Sequence, residues 1–228
     1  MFKGRSFSNN QRRSLALLSA VLLFAAAPGM RSCPTAVWVA LIPLLLAIQG
    51  LSSWAAAKLA FFCGLAYYLS LIYWIVIALS KYGGLPLGIA IAVMALLAAY
   101  LALYTAVFAA LLTWLRRWPL VFRAPLIWVS LDFVKAHLFS GLPWQDLGYS
   151  QYQHPLFNQI ADLIGHNGLT FLIVMTNALL TSLILAKQRN GNDHVRGGSL
   201  KKWRRESILP LVILAGTALY NFWSYQHW

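Results

Sequence analysis

The run LGIAIAVMALLAAYLALYTAVFAALLTWL, which spans Leu87–Leu115, decides the class of fold because it contains no charged residue. A helix needs about 20 apolar residues to cross a lipid bilayer. This run is longer, so we expect either a tilted membrane helix or one that ends before Arg116.

The composition of the whole chain points the same way. Hydrophobic residues make up 60% of the 228 residues and charged residues only 10%, whereas soluble proteins carry about 25% charged residues. The net charge of +13 does not indicate nucleic acid, because the basic residues lie in short stretches between apolar runs. The chain is therefore predicted to be an integral membrane protein.

Six further apolar runs lie before and after Leu87–Leu115 in the sequence. The predicted fold is an all-α, polytopic membrane helix bundle, with about seven transmembrane helices in a single domain covering residues 1–228. The first two runs are short and separated by Pro28, Gly29 and Pro34, so they form either a tight hairpin or a re-entrant pair. The seven predicted spans are Leu15–Ala27, Cys33–Gln49, Leu59–Leu79, Leu87–Leu115, Leu120–Leu138, Gly168–Ala186 and Ile208–Trp223.

The distribution of basic residues predicts the orientation. With the N-terminus in the cytoplasm, all of the 18 Lys and Arg residues except Arg31, Lys81 and Lys135 fall on the inner side. The C-terminus then faces outward, as expected for a multi-pass protein of a bacterial inner membrane. The sequence thus divides into a basic cytoplasmic N-terminus (1–13), an outer loop (139–167) and a basic cytoplasmic loop (187–206). That last loop is expected to contact anionic lipid headgroups.

The N-terminal run has an alternative interpretation as a secretory signal peptide. Basic residues precede this run, and Ala25-Ala26-Ala27 resembles the small-residue cleavage site of a signal peptide. We favour an uncleaved first helix, because Pro28 follows the candidate site directly and a second apolar run comes next.

Residues suited to catalysis are scarce. Cys33 and Cys63 lie in or beside apolar runs, with no base nearby in sequence to form a thiolate, so we expect both to be small buried side chains. The five His residues make no metal-ligand spacing. We therefore expect no catalytic residue, no cofactor and no metal site in this chain.

The fifth predicted helix carries Asp132 and Lys135, which are three residues apart and can pair on one helix face. Charges inside a spanning segment face a bundle interior or a water-filled cavity. Asp132 and Lys135 either line a headgroup site at the outer surface or form a structural ion pair that orders the following loop. No further carboxylate is evident nearby in the sequence, which disfavours a proton-relay transporter.

The loop after this helix, GLPWQDLGYSQYQHP (Gly141–Pro155), is rich in aromatic and amide side chains. Aromatic rings of this kind prefer the membrane surface, so one interpretation is simple anchoring. Its polar groups exceed what anchoring needs, and Pro155–Ile164 is predicted as a short helix in the interface. The candidate residues for facing lipid or a partner are Asp132, Lys135, Trp144, Asp146, Tyr149 and Gln151.

These residues carry a family resemblance. Trp128, Asp132 and Lys135, followed by Ser140-Gly141-Leu142-Pro143-Trp144 and Gly148-Tyr149-Ser150-Gln151, resemble the transmembrane part of apolipoprotein N-acyltransferase. The family run has Glu, Arg and Phe where this chain has Asp132, Lys135 and Leu142. Lys in place of Arg loses bidentate geometry, which suggests a divergent member.

The resemblance implies the membrane module of an enzyme that acylates bacterial lipoproteins. In the family, a nitrilase-like domain with a Glu-Lys-Cys triad moves an acyl group from phospholipid to the amine of the N-terminal diacylglyceryl-cysteine. The family's catalytic domain would begin where this sequence stops, at Trp228. We expect phospholipid and lipoprotein acyl chains as partners, with a separate nitrilase-like subunit. The alternative is a non-catalytic lipid-binding or scaffold protein.

Overall fold

The computed structural model describes residues 7–29, 33–139, 141–142, 144–192 and 198–227, without the side chains of 189–192, 198–199 and 202. Ser140 and Pro143 of the loop motif lie outside the described residues, as do the basic residues Lys3, Arg5, Arg31 and Arg196. Within the described ranges the chain is helical and contains no strand. The α-helices are α1 (Asn9–Ala26), α2 (Val37–Ala40), α3 (Ile42–Ala47), α4 (Ser53–Leu71), α5 (Trp74–Ile77), α6 (Leu87–Trp114), α7 (Leu120–His137), α8 (Pro155–Asn158), α9 (Ala161–Asn192) and α10 (Gly198–His227).

Within the residues that the structure describes, four helices are long and apolar enough to cross a membrane: Ser53–Leu71, Leu87–Trp114, Ala161–Gln188 and Trp203–His227. This confirms an all-helical membrane fold, and α6 agrees with the predicted span to within a residue. Helices α1 and α7 have 18 residues each, but α1 opens with polar residues and α7 carries Arg123, Asp132 and Lys135. The count of seven spans and the orientation stay predictions.

The predicted second span, Cys33–Gln49, is not one helix. Pro34 starts a single 3₁₀ turn and Pro43 lies in the first turn of α3, positions where a missing N–H costs least. Asn177 of α9 bridges the break, because its Oδ1 accepts from Leu41 N at 2.9 Å and its Nδ2 donates to Val37 O at 2.9 Å. The broken segment is thereby tied to α9, with Leu41, Leu44 and Leu45 fully buried.

The most extensive helix pairing joins α4 to α6, and small residues make it possible. A Cβ on Gly64 would lie 2.6 Å from Thr105 Oγ1 and 3.2 Å from the Cα of Ala102. Close backbone approach of this kind is how helices associate without a water-driven force between them. Helix α1 packs on α3 and α4, and its buried Ser19 donates to Ala40 O, so the first helix is a full part of the core.

The helix ends gather at two ends of the bundle. At the first, called the basic end, Arg12 at the start of α1 donates to Gln49 O at 2.9 Å and Arg123 at the start of α7 donates to Leu115 O at 2.9 Å. Arg116 likewise donates to Leu51 O. These arginines bind terminal carbonyls that no helical N–H reaches. The second, called the loop end, holds residues 141–142 and 144–152 and the last turns of α10.

Candidate functional site: an ion cluster and an aromatic cavity at the loop end

A buried ion cluster joins α7 to the following loop. Lys135 Nζ donates to Asp132 Oδ1 at 2.9 Å and to Asp146 Oδ1 at 2.8 Å. The side chains of Lys135, Asp132 and Asp146 are only 3%, 9% and 2% exposed. The predicted Asp132–Lys135 pair is confirmed. Asp146 was not expected as the second partner of Lys135, because Asp146 lies in the loop after α7 and no helical spacing relates the two residues.

This cluster supports the interpretation of an ion pair that orders the loop, and the headgroup site stays a prediction. Lys135 holds Asp146 directly, and the backbone supports it, because Leu142 N donates to Lys135 O at 3.1 Å. A buried ammonium needs such partners to offset its lost hydration. The expectation that no further carboxylate lies nearby is wrong, because folding brings Asp146 to the pair.

The turn into the loop has an unusual backbone. Phe139, Gly141 and Gln145 have φ values of 56°, 71° and 57°, which lie in the left-handed region that side chains with a Cβ rarely adopt. At Gly141 a Cβ would also collide with Ala136 O. Glycine is therefore required at that position, while Phe139 and Gln145 carry strain that the surrounding contacts must hold.

The second half of the loop is anchored by Gln151, whose side chain is fully buried. Its Nε2 donates to Pro34 O at 2.8 Å, and Trp38 Nε1 donates to its Oε1 at 3.4 Å. Asn158 Nδ2 donates to the Gln151 carbonyl at 2.8 Å. The Gly-Tyr-Ser-Gln motif thus ties the loop to the broken segment after α1.

Gly148 and His166 bring the loop against the start of α9. Gly148 N donates to Thr170 Oγ1 at 3.0 Å, and a Cβ on Gly148 would lie 2.6 Å from His166 O. His166 Nε2 lies 3.4 Å from Asp146 Oδ2. Its ring stacks on Tyr149, with centroids 5.0 Å apart and planes 14° apart. His166 was not singled out from the sequence, because nothing local relates it to Asp146.

An open cavity of about 420 Å³ lies at the surface of the loop, lined by Pro28, Trp144, Gln145, Tyr149 and Tyr152. Trp144 and Tyr149 are 43% and 40% exposed. The six candidate residues therefore form two groups. Asp132, Lys135, Asp146 and Gln151 bind within the chain, whereas Trp144 and Tyr149 face the cavity. Pro28 is distant from the other lining residues in sequence, and only the folded chain brings it to the cavity.

The predicted interface helix Pro155–Ile164 is wrong in its extent. Helix α8 ends at Asn158, and α9 is kinked at Gly165, where φ is 66° and ψ is −179°. Ile160 is buried, while Leu163 and Ile164 are exposed. The last turns of α10 hold this segment, because Asn221 Oδ1 accepts from Ile160 N at 2.7 Å.

The two cysteines also differ from expectation in part. Cys63 is buried on α4, as predicted, but Cys33 is exposed. Cys33 starts the broken segment at the loop end, where its N donates to Ala25 O at 2.7 Å. Across the ranges that the structure covers, no three His, Cys, Asp or Glu side chains form a group able to hold a metal ion.

The fold and the site together define a helical membrane protein that carries a clamped, aromatic-rich loop at one end. Residues 19–179 match the model of the apolipoprotein N-acyltransferase N-terminal domain, and the chain belongs to this family. It is 42% identical over 214 residues to an apolipoprotein N-acyltransferase of Geobacter metallireducens, covering 91% of this chain and 39% of the relative. It is 32% identical over 165 residues to that of Pasteurella multocida, covering 71% and 29%. The chain thus spans only a minor part of the curated relatives it matches.

Proposed function

We propose that this chain is the membrane module of a lipoprotein N-acyltransferase in a bacterial inner membrane. The family match over residues 19–179 supports the assignment. The main structural support for a role as a membrane module is the Lys135 cluster, which holds a strained loop at one end of the helix bundle. A loop fixed in this way presents one surface to a catalytic domain or to a lipid.

The reaction proposed for the complete enzyme has two steps. A thiolate attacks an ester carbonyl of a phospholipid, forming a thioester and releasing a lysophospholipid. The amine of the diacylglyceryl-cysteine of a lipoprotein then attacks the thioester, forming an amide and freeing the thiol. The module's part is to position the catalytic domain and to admit acyl chains laterally from the bilayer.

This chain is not proposed to carry out that chemistry alone. Its single glutamate, Glu206, lies near the start of α10, where Trp203 Nε1 donates to Ser182 of α9. Cys33 lies at the loop end and Cys63 is buried in the bundle. A Glu-Lys-Cys triad needs its three side chains within hydrogen-bond reach of one another, and this glutamate is remote from Cys33.

A reconstitution experiment tests the proposal. The purified chain, in lipid nanodiscs, is mixed with the separately produced part of the Geobacter metallireducens relative that the match to this chain does not cover. Mass spectrometry then detects N-acylation of a synthetic diacylglyceryl-cysteine peptide. We expect product from the mixture and none from either component alone. Product from the chain alone would contradict the assignment of the chemistry to a partner. If the mixture forms no product and its two components do not associate, the result would favour a non-catalytic lipid-binding protein.

A further inference from the structure

His166 lies where the loop meets the start of α9. Gly165, with a φ of 66°, kinks α9 immediately before it. Gly148 of the loop packs against the His166 carbonyl, since a Cβ there would lie 2.6 Å from the oxygen, and Gly148 N donates to Thr170 Oγ1 at 3.0 Å. The backbone that carries His166 is therefore fixed against the loop.

The ring of His166 contacts two side chains of the loop. Its Nε2 lies 3.4 Å from Asp146 Oδ2, and its plane stacks on Tyr149. The distance between Nε2 and Oδ2 exceeds the roughly 2.7–2.9 Å of a charge-assisted hydrogen bond, so the two groups can still approach each other. The side chain of His166 is 43% exposed, whereas that of Asp146 is 2% exposed. Water can thus exchange a proton with the ring while the carboxylate stays buried.

The charge of the ion cluster is incomplete without His166. Asp132 and Asp146 set two carboxylates against the single ammonium of Lys135. A buried charge that lacks an opposite partner is costly. Protonation of His166 places a second cation next to Oδ2 of Asp146, the oxygen that Lys135 does not bind. Two carboxylates then face two cations.

Other titratable groups lie on the elements that pack against α9, although α2 and α3 contain none. The titratable groups at this end of the bundle are Asp162 of α9, Asp132, Lys135 and His137 of α7, Asp146 and Tyr149 of the loop, His154 before α8, and Tyr220, Tyr225 and His227 of α10. His137 and His227 each bind a carbonyl of their own helix, at 2.8 and 2.7 Å. Of the described carboxylates, that of Asp146 is the one that pairs with the ring of His166.

We propose that His166 is a positioning residue whose protonation fastens the loop, with the charged ring holding Asp146 Oδ2 while Lys135 holds Oδ1. Histidine is the side chain that changes its charge between about pH 5 and 8. The charged ring gains from Asp146 only while the loop is in place, so this stabilisation is present at low pH and lost as the pH rises. The loss loosens Tyr149, which stacks on the ring and lines the cavity. This regulation of the loop goes beyond the proposed function.

Hydrogen–deuterium exchange tests the proposal on the chain in lipid nanodiscs. The amides of Gly148 and Tyr149 are hydrogen-bonded in the folded loop, each at 3.0 Å. Their exchange is compared with that in His166→Gln, which keeps a neutral donor, at the same pH so that the chemical exchange rate cancels. We expect the variant to exchange about 2- to 5-fold faster at about pH 5.5, and at nearly the same rate as the unaltered chain at about pH 8.

Two further variants separate the charge of His166 from a purely structural role. His166→Arg keeps a cation at both pH values that can stack on Tyr149 and donate to a carboxylate, and should exchange slowly at both. His137→Gln removes a histidine that binds within its own helix and should keep the pH dependence of the unaltered chain. Size-exclusion profiles confirm that each variant is folded.

The pH dependence decides the outcome. If the exchange rates of His166→Gln and the unaltered chain have the same ratio at both pH values, the proposal is overturned, because His166 then acts without its charge. A pH dependence that His137→Gln abolishes overturns it as well. Exchange does not depend on acyl transfer, so the result is independent of the reconstitution experiment.

Discussion

Replacing Lys135 by methionine tests the ion cluster directly. Methionine is unbranched and one atom shorter than lysine, so the change keeps most of the side chain but leaves the carboxylates of Asp132 and Asp146 without the ammonium that pairs them. Exposed ion pairs contribute about 0–1 kcal/mol. The exposures of 3%, 9% and 2% place this cluster in the buried class instead. Removing one partner of a buried pair costs about 3–5 kcal/mol in the free energy of unfolding.

For a chain of this size, a loss of that order lowers the unfolding temperature by roughly 6–20 °C. Cys63 provides the measurement, because this residue is only 1% exposed and its thiol should react with a fluorogenic maleimide only when the bundle opens. Cys33 is exposed, so the experiment uses a Cys33→Ser background. The temperature of half-maximal labelling in detergent is then compared between Lys135 and Lys135→Met.

A charge-free version of the cluster is the matched control. Adding Asp132→Asn and Asp146→Asn to Lys135→Met removes the unpaired charges at nearly constant shape, and should restore most of the lost stability. An unchanged labelling temperature in Lys135→Met alone would refute the reasoning, because it would mean that Lys135 does not hold the two carboxylates in the folded protein.

Two further substitutions test how the bundle is held together. Gly64→Val should separate α4 from α6, since even a Cβ would lie 2.6 Å from Thr105 Oγ1, and should lower stability by about 1–3 kcal/mol in the same labelling measurement. Gly216→Ala, where nothing lies within 4 Å, is its control and should be neutral or slightly stabilising. Asn177→Leu should loosen the broken segment, raising amide hydrogen exchange at Leu41, because the buried N–H there loses its acceptor at a cost of about 1–3 kcal/mol. Thr176→Val, which loses only a bond to a carbonyl of its own helix, should leave that exchange unchanged.

Some features of the site were predictable because they depend on local spacing. The pairing of Asp132 with Lys135 follows from their separation of three residues along one helix. The aromatic character of the loop at Trp144 and Tyr149 is visible in the sequence itself. The second partner of Lys135 was not predictable, since Asp146 reaches it only through the turn at Phe139 and Gly141, where the backbone takes positive φ values.

The limits of the helices show the same division. Helix α6 matches its predicted span because an unbroken apolar run has one stable conformation in a membrane, with every backbone group bonded within the segment. The segment Cys33–Gln49 is not the single helix that was predicted, because the helix is interrupted at Leu41, and Asn177 of α9 bonds the Leu41 N–H and the Val37 carbonyl there. No pattern within Cys33–Gln49 contains that information.

The sequence by itself determined a helical membrane protein, its main apolar span and the local Asp132–Lys135 pair, because hydrophobic length and helical spacing act over short stretches of chain. Only the tertiary structure decided that Gln151 binds Pro34, that Asp146 binds Lys135, and that Pro28 joins Trp144 around one cavity. No local spacing pattern relates the residues that these contacts join. The contacts exist because buried polar groups must find partners wherever the packed helices bring them.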